Sequence, residues 1–402
     1  MQMVPFEDAL ARVIDVAAPV GVETVAFEDA PGRVLAQDLL ARSNAPATDV
    51  SAMDGYGVRD ADLAVLPAAL PVIGESFAGS KPQSSFDGVG CIRIFTGAPV
   101  PAGIDRVVIQ EYVERIGDVA HFNTESGPGR NIREAGSDFK AGDCLVAKGT
   151  CLTWRAITTA ASADRAQVKV YKQPKVVILA TGDELAAPGR AYKTPGYIPE
   201  SVSFGVAAYA KALGAQIVRS QRIADNPAKL MASAKAAVED ADVIIVTGGA
   251  SVGEKDYARS MFGEDALDYI FPKVAIKPGK PVWMARIKSQ SARKIILGLP
   301  GNPGSALVTA RLFLTPLLMG ITGQNAHQAC QFRSILCRHD LPSIGGRETF
   351  SRAFLDDGGQ AVLFSSQDSS AQFSLARADV LVRRLAHSPS MTAGATIEVL
   401  DF

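Results

Sequence analysis

Histidine and cysteine are both scarce in this chain. The four histidines (His121, His327, His339, His387) fall in no ligand spacing, which argues against a histidine-built metal site. The five cysteines (Cys91, Cys144, Cys151, Cys330, Cys337) are odd in number, scattered, and form no CxxC pair. They fit neither a zinc site nor a disulfide framework, so a reducing, cytoplasmic setting is expected. An excess of either charge is also missing: 41 Lys and Arg face 42 Asp and Glu, for a net charge of −1. That balance gives no support for nucleic acid as a partner. No uninterrupted apolar run reaches membrane-spanning length. The opening MQMVPFEDAL has neither a basic n-region nor an apolar h-region. A soluble protein without a membrane partner is expected. Internal repeats and low-complexity tracts are absent too.

What is present is a hydrophobic fraction of 47% in 402 residues, enough for a large core. The length points to roughly two to four domains. The chain is organised around Val243–Tyr257, VIIVTGGASVGEKDY. Val243–Val246 reads as a buried strand of a parallel sheet. It runs into Gly248, Gly249, Ser251 and Gly253. Glycine lets the backbone approach a ligand closely. Backbone N–H groups at such a strand end cradle anions, and Ser251 adds a hydroxyl. Glu254 and Asp256 place carboxylates beside the cradle, as a magnesium-bridged phosphate requires. The plain alternative is an ordinary strand-to-helix turn.

Before this stretch, residues 5–17 carry a helical apolar stripe opened by Pro5, and Glu23–Phe27 reads as a strand. Residues 43–60, SNAPATDVSAMDGYGVRD, read as a loop with Ser51 and Asp54 as its candidate polar groups. A linker with Asp54 capping a turn is the competing reading. Residues 71–122 read as short strands, with Thr96 ending one of them and facing either a ligand or its own turn. Residues 127–143 form a glycine-rich loop holding Arg133 and Asp138. Ala156–Ala166 reads as a helix.

From 173 to 320, strands and helices alternate, which indicates a doubly wound α/β domain with parallel strands. The expected strands are Val176–Leu179, Ile217–Arg222, 243–246, Asp268–Val274 and Ile295–Leu299. Ligands of such sheets bind at the carboxyl ends of strands. Three strand ends carry glycine and polar groups: Thr181–Glu184 (with Gly182), Thr247–Gly253, and Pro300–Ser305 (with Gly301, Asn302 and Pro303). KVAIKPGKPV adds Lys273, Lys277 and Lys280. This concentration of groups marks a functional site. Residues 321–402 are β-rich, as in a small barrel. The expected division is 1–43 with 141–172, a β-rich insertion 44–140, an α/β domain 173–322, and a C-terminal β-barrel 323–402.

SAMDGYGVR, RIFTGAPVP, GRNIREAGSDF, ATGDEL, TGGASVG, KPGKP and LPGNP occur in this order. The chain thereby resembles the molybdopterin molybdenumtransferase family, which includes a domain of gephyrin. The resemblance spans essentially the whole chain. It implies an elongated N-terminal region with a β insertion, a molybdopterin-binding α/β domain and a C-terminal β-barrel, assembled as a homodimer. It implies adenylyl-molybdopterin and molybdate as substrates, AMP as product, and a requirement for Mg2+. Molybdopterin adenylyltransferase and apo-molybdoenzymes are the protein partners it suggests. By resemblance, Lys277, Lys280 and Ser305 lie at the oxyanion site, with Arg347 and Ser369 of the last domain. Glu184, Asp225 and Asp256 take the roles of magnesium ligands and catalytic acids. Asp54 and Thr96 match important positions on the insertion side, and Arg133 and Asp138 match a loop over the site. One departure is Val202, where the family has Asn; valine is expected neither to cap the helix nor to touch ligand. Others are Ala47, VWMARI after KPGKP, and the missing glycine after Ser369. Two competing functions are a molybdopterin adenylyltransferase and a non-catalytic molybdopterin-binding carrier.

Overall fold

The computed structural model describes residues 2–81, 85–86, 88–248, 257–263, 265–288 and 294–402. Gly249, Ser251, Gly253, Glu254 and Asp256 lie outside the described residues. The chain divides into two compact units. One comprises 1–37, 149–153 and 167–402, the other 38–148 and 154–166.

The first unit is built on a six-stranded sheet in the spatial order Gln216–Ile223, Lys175–Thr181, Val243–Thr247, Ile295–Leu299, Trp283–Ile287, Leu267–Phe271. The first three pairings are parallel. The last two are antiparallel, so the sheet is mixed rather than all-parallel as expected. Val243–Thr247 sits centrally, with all five residues buried. Both its faces are covered, which is why its sequence is continuously apolar. Helix Pro227–Asp240 begins where Asn226 Oδ1 accepts from the Lys229 N–H at 3.0 Å, with Pro227 in its first turn. Pro303–Ile321 is a continuous helical stretch, long and apolar enough by composition to cross a membrane. It is a core element: 83% of its most apolar window is buried, and Phe313 packs edge-on against Phe6 of helix Phe6–Val16.

A second sheet in this unit forms a half-barrel in the order Ile276–Lys277, Glu348–Leu355, Val380–Arg384, Thr396–Asp401, Arg333–Leu336. Ile276–Lys277 pairs with Glu348–Thr349, so the KPGKP segment joins the α/β sheet to the half-barrel.

The other unit carries its own six-stranded sheet, with Gly55–Val58 held between Arg106–Ile109 and Cys91–Ile94. All four residues of Gly55–Val58 are buried. This corrects the reading of 43–60 as a loop. Gly55 is required there: a Cβ would lie 2.0 Å from the Val108 carbonyl oxygen.

Candidate active site

Three strand ends of the α/β sheet converge through close backbone approaches. Thr181 Oγ1 donates to the Thr247 carbonyl at 3.3 Å. Gly248 has φ +86°, and a Cβ there would lie 2.3 Å from the Thr181 carbonyl oxygen, so only glycine fits. A Cβ on Gly301 would in turn meet the Gly248 Cα at 3.3 Å. Together these loops open onto a cavity of about 1220 Å3.

The cavity collects many of the expected residues. Thr181, Glu184, Gly248, Lys277, Lys280, Pro300, Gly301, Asn302, Pro303, Ser305, Arg347 and Ser369 all line it. Lys277 and Lys280 are exposed to it, whereas Ser305 is buried at the start of helix Pro303–Thr309. Cations and helix-end N–H groups facing one space suit a polyanion. Asn302 stands at the N-cap position, yet its amide is used elsewhere and donates to Ser369 Oγ at 2.8 Å. The Gly304 N–H donates to the Ser369 carbonyl at 2.8 Å. The helix start and the half-barrel loop are thus fastened together.

Some expected residues stand apart. Lys273 does not line the cavity; Val4 N–H donates to its carbonyl, and the segment is pinned beside the N-terminal helix. Gly182 lines a neighbouring hollow with Asp183 and Lys229. Asp225 also lies off the main cavity lining, and its N–H donates to Asp183 Oδ1 at 3.0 Å. Strands Lys175–Thr181 and Gln216–Ile223 pair through Thr181 and Ile223. Glu184 and Asp225 therefore leave neighbouring strand ends.

Two carboxylates from adjacent strand ends are the protein share that a magnesium ion takes when substrate phosphates supply the rest. Among the described residues no group of three His, Cys, Asp or Glu forms a protein-only metal cage.

The second unit assembles its own group of expected residues. Asp54 Oδ1 accepts from both the N–H and the hydroxyl of Thr96, each at 2.7 Å. These bonds, the backbone one first, hold the Asp54 carboxyl below its ordinary range. Ser51 is fully buried, and its hydroxyl donates to the Met53 carbonyl at 2.5 Å. Its hydroxyl shapes the turn that carries Asp54. Val50 and Ser51 pair with Arg133 and Ile132. Arg133 and Asp138 are exposed.

Sequence reasoning missed three residues. Glu200 is buried on the cavity wall and accepts from Ser203 N–H at 2.8 Å and Ser203 Oγ at 2.5 Å. It caps helix Val202–Ala212 in place of the absent Asn, and Val202 itself lines the cavity. The order of this pair, Glu before Ser, is the reverse of the Ser/Thr-x-x-Glu capping box and gave no recognisable signal. Arg352, also buried, donates to the carbonyls of Ala371 and Asp368, each at 2.7 Å. It fixes the Asp368–Ala371 loop that carries Ser369. Gln367 supports the same loop through the Arg352 backbone. No local pattern marks the last two.

A strand-end anion cradle, closed on one side by cations of a half-barrel, defines an α/β protein that handles phosphorylated or oxyanionic substrates. Residues 4–163 match the family model of the MoeA N-terminal region (domain I and II), 177–320 that of a probable molybdopterin binding domain, and 335–402 that of the MoeA C-terminal region (domain IV). The molybdopterin molybdenumtransferase of Haemophilus influenzae is 34% identical over 362 residues, covering 89% of this chain and 88% of the relative. That of Nostoc sp. is 35% identical, covering 82% and 76%. The crystal structure of the molybdopterin biosynthesis MoeA protein of Pyrococcus horikoshii superposes with a TM-score of 0.81 at 29% identity, covering 99% of this chain and 98% of that one. The chain belongs to the molybdopterin molybdenumtransferase family, transferases of molybdenum cofactor biosynthesis.

Proposed function

We propose that this chain inserts molybdenum from molybdate into adenylyl-molybdopterin, releasing AMP with magnesium and yielding the molybdenum cofactor. One observation carries the reading: Lys277, Lys280, Arg347, Glu184 and the strand-end loops face a single cavity. Backbone N–H groups of the Gly248 and Gly301 loops serve phosphate oxygens of the pterin substrate. Lys277, Lys280 and Arg347 orient the tetrahedral molybdate dianion by charge and hydrogen bonds. Glu184 and Asp225, with Asp256, are the residues that would hold magnesium. When bound, that ion would offset charge on the AMP leaving group. Asp54, whose carboxyl Thr96 holds below its ordinary range, matches a position that the family resemblance marks as important. Val202, with Pro199 and Ile198, gives the cavity an apolar wall suited to the flat ring system.

We further propose a homodimer in the cytoplasm. The full-length similarity to the family supports the dimer, and the scattered, unpaired cysteines support the compartment. Purified protein incubated with adenylyl-molybdopterin should release AMP only when molybdate and magnesium are both present. Tight pterin binding without AMP release would favour a carrier.

A further inference from the structure

A second cavity, of about 410 Å3, lies within the half-barrel beside the one described above. The two share Lys277, Arg347 and Gln367 in their walls. Arg384 lines the smaller one; it is only 6% exposed, the last residue of strand Val380–Arg384 and opposite Thr349 on the neighbouring strand. Its guanidinium donates to the Pro389 carbonyl and makes no ion pair with any described residue. Burial lowers its pKa, and nearby Cys337 acts in the opposite direction. The adjacent Arg383 shows the usual arrangement, with Glu348 and Glu7 as partners. Ser343, Thr349 and Ser351 line the same wall, the Thr349 hydroxyl donating to the Arg347 carbonyl, and no Asp or Glu among the described residues lines the cavity. A buried, uncompensated charge is costly unless something pairs with it.

We propose that this chamber is a second oxyanion site, in which Arg384 and the hydroxyls hold a tetrahedral dianion next to the Lys277–Arg347 wall of the active-site cavity. A dianion carries twice the charge of Arg384 and would be balanced by Arg384 together with Lys277 or Arg347 of the shared wall; the volume admits the anion with a partial water shell. The assignment of molybdate as that anion rests on the activity proposed above.

Equilibrium dialysis of the full-length protein against molybdate alone, without pterin, tests this. Wild type should bind two equivalents per chain. Arg384→Gln keeps a donor for the Pro389 carbonyl but removes the charge; it should retain one equivalent, the other weakened by roughly tenfold or more. Arg384→Lys should restore the second equivalent. Two unchanged equivalents in Arg384→Gln would overturn the proposal. So would equal loss in Arg384→Lys, because the residue would then only be holding its turn. Displacement of the second equivalent by equimolar sulfate would overturn the molybdate assignment. A protein that binds two equivalents yet never releases AMP would sink the activity reading and leave this site standing.

Discussion

Glu200 closes the first turn of a helix whose own N-terminal residues, Ser201 and Val202, supply no cap. Both Ser203 donors point at it, so removing its carboxylate leaves a helix-end N–H without a partner on the cavity wall. Glu200→Ala should destabilise the protein by about 1 kcal/mol or more, read as a lower urea midpoint. An unchanged midpoint would show that water serves the helix end equally well. Asp54 offers a pH test at the same scale. Thr96 lowers its pKa through the backbone N–H first and the hydroxyl second. A carboxyl lowered in this way contributes stability above its unfolded pKa. That contribution is lost as pH falls through the lowered folded value. Thr96→Val removes the hydroxyl bond and keeps the N–H, so the Asp54 pKa should move part of the way up. Carbon-detected NMR titration of the Asp54 carboxyl reads this shift, and an unmoved midpoint would contradict the assigned cause.

The loop Asp368–Ala371 is an element with little structure of its own. Its position comes from outside: Arg352 from below, and Asn302 and Gly304 from the helix start. Gly304 has no room for a side chain, since a Cβ would lie 2.7 Å from Arg352 Nη1 and 2.8 Å from the Ser369 carbonyl. Arg352→Met should therefore loosen the loop rather than empty the site. Two hydrogen bonds from a buried charged donor are lost, for a destabilisation of about 3 kcal/mol. Amide exchange at Ser369–Ala371 should accelerate and KM for molybdate should rise. Unaltered exchange in that loop would mean that Asn302 and Gly304 hold it unaided.

At the scale of the molecule, the readable parts of the fold were those where burial leaves one chemical option. Val176–Leu179, Val243–Val246 and Ile295–Leu299 are apolar throughout because both faces of the sheet are covered. Trp283–Ile287 escaped notice because Arg286, its penultimate residue, interrupts the apolar run; it pairs with Asp268 of the neighbouring edge strand. Gly55–Val58 looked like a loop because its glycines answer to tight packing against neighbouring strands. The strand-end half of the site was legible for a general reason: open α/β sheets bind ligands there. Arg347 and Ser369 became visible through family resemblance alone. Arg352, Gln367 and Arg384 left no trace, since their partners are set by tertiary folding. Lys273 lies off the described lining of the cavity, with its carbonyl bonded to the Val4 N–H.

On the proposed function, one cavity performs both halves of the reaction, loss of AMP and gain of molybdenum. The most direct measurement is a single-turnover experiment with adenylyl-molybdopterin, magnesium and radioactive molybdate, following AMP and labelled pterin together. The account predicts that the two products appear in equal amounts and at the same rate, and that both disappear in Lys277→Ala. AMP release that proceeds without molybdate, or without label entering the pterin, would contradict it.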